Sequence, residues 1–208
     1  MNTLRAPKLT GRRLPNSEFR DRPWRIHEIA ADFELVDVWQ LPTPGGPDDL
    51  ARLAEVVAAG AMEDDNSPIV RLVWAVRWGL GSLLNWDDPQ NGVGIRVPSL
   101  SARLPEDLLD APIGPDFARL PFTSLYLLRD EFAAELANST CHGVLHLGWV
   151  EIESGCYTAQ LTVLAKPNGT TGRLYLTGIQ PFRYALIYPA LLRKVERSWQ
   201  ALEESGPA

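Results

Sequence analysis

Two histidines four residues apart, His142 and His146, stand out among the residues that could do chemistry. Both fall in one strand-like run, where a spacing of four puts side chains on the same face. Val144, Gly148 and Val150 share that face. Glu135 sits in the neighbouring strand-like run. Imidazole beside carboxylate can move protons near neutral pH, or supply part of a metal site. A metal would need a third protein ligand that the spacing does not provide, so no metal is expected. The same groups also suit a structural reading, one histidine hydrogen-bonded in the core and the other near a sheet edge. His146, His142 and Glu135 are the candidate catalytic residues, with that alternative open.

Arg71, Arg77 and Arg183 are the candidate anion anchors. A guanidinium fork holds a carboxylate or phosphate with two hydrogen bonds. Arg183 is the best placed, because it opens the C-terminal helix just after Pro181 and Phe182. Each arginine could instead lie on the surface or pair with Asp37 or Glu135. Asp37 alternates with Phe33, Leu35 and Trp39 in one strand-like run, so an inward face would make it a buried carboxylate that must be paired or protonated. Tyr184 and Tyr188 can present hydroxyls while their rings pack. Seven tryptophans suit either an aromatic ligand pocket or a large filled core. The candidate ligand-binding residues are Arg183, Tyr188, Trp149, Trp39, Trp74 and Arg77. No serine sits in a nucleophile-elbow pattern, and Gly92-Val93-Gly94 is too short for a phosphate loop. No cofactor is expected.

The elements that must position these groups follow from periodicity. The run 33–41 alternates as a strand. A helix follows from Asp48 or Asp49 through Ala59, and a second spans about 68–84, opening on Pro68. The segment 85–94 carries turn chemistry. Five strand-like runs come next, at 122–128, 132–138, 142–150, 156–166 and 173–180, with Asn168-Gly169 as a hairpin turn. An amphipathic helix covers 183–203, with Tyr188, Leu192, Val195 and Trp199 on its apolar stripe and Pro189 as a kink or a late start. The expected fold is α+β: a curved antiparallel sheet wrapped around a long C-terminal helix, with two helices after the first strand, which closes the sheet edge. Residues 1–22 read as a flexible basic arm and 23–204 as one domain.

With 208 residues, 45% hydrophobic and 22% charged, the chain can bury a core without staples. A net charge of −6 argues against a nucleic-acid partner. No run approaches the ~20 apolar residues of a membrane span. Cys141 and Cys156 read as reduced and buried, and the lack of an export signal gives a cytoplasmic expectation.

The order of elements is the helix-grip arrangement, and local sequence sharpens it. Pro23-Trp24, Asp32-Phe33, Asp37-Val38-Trp39, Arg71 to Trp78 and Asn138-Ser139-Thr140-Cys141-His142 resemble a bacterial domain family of unknown function. So do His146-Leu147-Gly148-Trp149-Val150, Lys166-Pro167, Pro181-Phe182-Arg183 and Tyr188-Pro189. The likeness spans about Pro23 to Trp199 and is identified with the START, polyketide-cyclase and pollen-allergen superfamily (SRPBCC). It implies a cavity and a small-molecule-binding habit, and names no reaction. Similar domains occur behind nucleotide-binding reductase domains. Three functions are compatible: a module binding a small apolar or amphipathic molecule, a cofactor-free enzyme acting on a ring or polyketide-like substrate, and an interaction module with a homodimer or reductase-domain partner.

Overall fold

The computed structural model describes residues 9–59, 97–117, 121–138 and 141–205. Six strands form one antiparallel sheet: β1 (Arg12–Arg13), β2 (Glu34–Gln40), β3 (Thr123–Leu127), β4 (Glu131–Ala137), β5 (Cys141–Glu153) and β6 (Cys156–Pro167). Their spatial order is β1-β2-β6-β5-β4-β3. The first strand of the expected set, β2, indeed closes onto β6, and β1 adds a further edge beyond it. The architecture is α+β with a curved antiparallel sheet and a long C-terminal helix, the helix-grip arrangement. The helix after β2 is α3 (Leu50–Ala58). The second expected helix, 68–84, and the turn-rich segment 85–94 lie outside the described residues.

One predicted strand is a helix. The run 173–180 belongs to α5 (Gly169–Phe182), and Gly169 starts that helix with φ +67° instead of turning a hairpin. Leu174, Tyr175, Leu176 and Thr177 carry β-favouring alternation, but the edge of β6, the strand that precedes them, is already occupied by β2. Alternation is only a local signal, and tertiary context overrides it. A π turn (Arg183–Ile187) joins α5 to α6 (Tyr188–Ser205), with the Tyr188 N–H donating to the Arg183 carbonyl. Pro189 has no N–H to give and crowds the carbonyl four residues back, which a wider turn relieves.

Both faces of the sheet are covered. On one side Tyr188, Leu191, Leu192, Val195 and Trp199 of α6 pack with Leu50 and Leu53 of α3 on Phe132, Leu147, Trp149 and Leu161. On the other, Phe19, Trp24, Ile26, Ile29, Leu100 and Leu108 cover Val38, Ala133, Val144 and Leu164. That second cover uses the short helices α1 (Ser17–Arg20), α2 (Ile26–Ile29) and α4 (Glu106–Leu109), with a 3-10 turn at Leu100–Arg103. Of the basic arm, residues 9–22 are described. They are tied in by the β1–β2 pairing and by buried Phe19. No helix among the described residues is long and apolar enough to cross a membrane.

Candidate functional site

A one-residue irregularity in β2 decides which groups face the C-terminal helix. Leu35 pairs with Leu164 and Asp37 with Val163, so Val36 is extra and the side-chain alternation resets. Phe33 and Leu35 therefore pack with the N-terminal cover, whereas Trp39 packs with the helix cluster. Sequence alternation alone had put Phe33, Leu35, Asp37 and Trp39 on one face; the bulge splits them into two pairs.

Asp37 is fully buried beneath the π turn. The Tyr188 hydroxyl donates to its Oδ2 at 2.8 Å, and the Tyr184 hydroxyl donates to Oδ1. Arg183 Nη2 lies 3.3 Å from Oδ2, and Arg13 Nη2 lies 3.9 Å from Oδ1. Arg13 stands opposite Trp39 in the β1–β2 register, with its guanidinium 4.6 Å from the Tyr184 ring centre. Trp39 stacks on Tyr188 at 4.5 Å. A buried carboxylate costs several kcal/mol unless charge and hydrogen bonds offset it, and here four donor groups surround one acid. Burial, and then the Asp37 charge, push the Tyr188 phenol above its ordinary range, so it stays a donor. Two buried N–H groups beside this cluster, Arg183 Nε and Trp39 Nε1, have no acceptor among the described residues.

The histidines lie on the opposite face. His142 and His146 do project from the same side of β5, but toward the N-terminal cover. Each meets one carboxylate of β4: His142 Nε2 to Glu135 at 2.7 Å and His146 Nε2 to Glu131 at 3.1 Å. Glu131 also accepts from the Arg25 and Ile26 backbone N–H groups, at 2.7 and 2.9 Å, and from the Tyr126 hydroxyl at 2.6 Å. Glu135 also accepts from the Ser99 hydroxyl at 2.5 Å and from the Leu100 N–H at 3.0 Å. Burial raises the pKa of both glutamates, yet these donors outweigh it and hold both below the ordinary carboxylate value. Each carboxylate thus pins one covering segment to the sheet. Phe19 and Trp24 pack edge-on around His146, 5.4 and 5.3 Å away, and close this face over it. No three His, Cys, Asp or Glu side chains come together as a metal group among the described residues.

The structure thus joins Arg183, Tyr188 and Trp39, and separates His142, His146 and Glu135 from them. Trp149 is on the helix face, but its Nε1 donates to the Gly46 carbonyl at 2.9 Å and its ring meets Trp199 at 6.3 Å within the core. Trp74, Arg71 and Arg77 lie outside the described residues. Sequence reasoning missed Glu131 and Arg13. Glu131 lies one residue before the expected strand run 132–138, and its four-residue spacing to Glu135, which repeats that of the two histidines, is the signal that could have found it. Arg13 sits in a stretch with no periodicity to flag it.

The protein-family model described as "Protein of unknown function (DUF2867)" matches residues 29–190. No curated protein and no solved structure matches the chain.

Proposed function

The chain belongs to this DUF2867 family, and from that premise we propose that it is a small-molecule-binding module. Its ligand is apolar or amphipathic and sits at the junction of β2, the π turn and α6. The observation that carries this reading is the buried Asp37 with Tyr184, Tyr188, Arg183 and Arg13 around it, flanked by the stacked Trp39 and Tyr188 rings. A core at this depth normally holds only apolar side chains. A buried acid, two phenols and a guanidinium gathered beside an aromatic stack have the composition of a binding site: apolar walls with a few convergent polar groups. The resemblance to the START, polyketide-cyclase and pollen-allergen superfamily supports the same use of the helix–sheet junction.

A catalytic reading on His146, His142 or Glu135 is less well supported. His142 and His146 each bond a β4 glutamate through Nε2, Glu135 also accepts from Ser99 and Leu100 of the 99–103 turn, and His146 is sealed beneath Phe19 and Trp24. The test is a fluorescence titration with a panel of uncharged naphthalene-sized aromatics. Binding should quench tryptophan emission in the natural protein, and Trp39→Phe should remove most of the quench while circular dichroism stays unchanged. Quenching that survives Trp39→Phe, or none in the natural protein, contradicts the assignment.

A further inference from the structure

The hydrogen-bond inventory around Asp37 narrows the class of ligand, given the binding reading above. The Asp37 carboxylate is already served by two phenols and a guanidinium, with a second guanidinium nearby. It has no need of a further donor. What is left over is one-sided: Arg183 Nε and Trp39 Nε1, both buried N–H donors, with no acceptor among the described residues. Guanidinium and indole nitrogens can only donate. The charge is one-sided too, since among the described residues Arg13 and Arg183 pair with one acid, Asp37. A ligand that suits this inventory brings acceptors and a negative charge, and no donor.

The ring geometry adds the second constraint. Trp39 and Tyr188 are near parallel, 27° apart, and Tyr184 lies 29° from Tyr188. Near-parallel aromatic faces favour a flat ring over a branched aliphatic body. Arg13 already covers the Tyr184 face as a cation, which places positive charge and aromatic surface side by side at the edge of the site. Arg13 is half exposed, so that edge is reachable from solvent.

We propose that the ligand is a planar aromatic monocarboxylate, its carboxylate accepting from Arg183 Nε and Trp39 Nε1 and its ring lying along the Trp39–Tyr188–Tyr184 aromatic row. Charge-assisted hydrogen bonds of this kind are about twice as strong as neutral ones. The ring contributes affinity through buried area, and the carboxylate sets orientation and selectivity.

Calorimetry with 1-naphthoate and its uncharged isostere 1-naphthamide tests this on the full chain. The carboxylate should bind at least tenfold tighter than the amide. Arg183→Gln should abolish that preference. Trp39→Phe, which keeps every charge and an aromatic ring, should reduce it severalfold, so the result does not rest on one variant that might misfold. If the amide binds as tightly as the acid, or the preference survives both substitutions, the carboxylate assignment falls while the binding reading stands. If neither compound binds, both fall.

Discussion

Asp37 is the residue on which the account turns, and its environment makes a definite forecast. Tyr188 is buried, and its hydroxyl gives Asp37 one short hydrogen bond. Tyr188→Phe keeps the ring stack on Trp39 and deletes only that bond. A hydrogen bond to a charged group is worth about 1.5–3 kcal/mol, so denaturant unfolding should show a loss in that range with unchanged secondary structure. A loss near zero would mean that water replaces the phenol and the carboxylate is not sealed. Gly148 tests the other face. A Cβ there would sit 2.6 Å from the Trp24 ring. Gly148→Ala should therefore cost about 1–3 kcal/mol by overpacking, read as a lowered urea midpoint.

At the scale of elements, β4 works as a rail. Its two glutamates, four residues apart, each accept backbone N–H groups from a segment crossing the sheet: Glu131 from the start of α2 and Glu135 from the 3-10 turn. Glu131→Ala leaves two backbone donors, the Tyr126 hydroxyl and His146 without their acceptor. The expected cost is about 3 kcal/mol or more. Hydrogen exchange should speed up in residues 16–30 before the β5–β6 hairpin is affected. Uniform loss of protection would contradict a local pin. This layer was partly legible in sequence. The spacing of His142 and His146 correctly gave a shared face, because strand geometry has a fixed period of two. Which face that was could not be read, since both faces of this sheet are covered and alternation has no solvent side to mark. The stripe of Tyr188, Leu192, Val195 and Trp199 was legible because α6 is covered on one side only. The Val36 bulge was not, because an extra residue leaves no signature in composition, and it moves Asp37 away from Leu35. The α5 segment was misread for want of knowledge that β2 fills the edge beside β6.

Over the whole molecule, the two glutamates beneath the N-terminal cover tie stability to pH. Glu131 and Glu135 have folded-state pKa values below their ordinary value of 4.5. A depressed carboxylate pKa contributes stability that is complete above the unfolded value and is lost as pH falls through the folded one. Stability should hold from neutral pH down to about 4.5 and then decline. The combined variant Glu131→Gln, Glu135→Gln should show a flatter acid limb in urea unfolding monitored at several pH values. An equally steep limb in that variant would assign acid sensitivity to other groups. The helix side differs in kind, because its polar cluster joins one acid to two arginines and two phenols beside an aromatic row, an arrangement suited to receiving a ligand more than to fastening a cover.

The most direct measurement of that claim is the indole N–H region of a 15N-labelled protein titrated with 1-naphthoate. Trp149 and Trp199 donate to the carbonyls of Gly46 and Pro44 at 2.9 and 2.8 Å, so their indole signals serve as internal references. Trp39 Nε1 has no acceptor among the described residues. The account predicts that the Trp39 signal, assigned by its loss in Trp39→Phe, shifts downfield with saturation while those of Trp149 and Trp199 stay in place. A Trp39 signal that does not move at saturating naphthoate, or shifts confined to Trp149 and Trp199, would contradict a ligand site at Asp37.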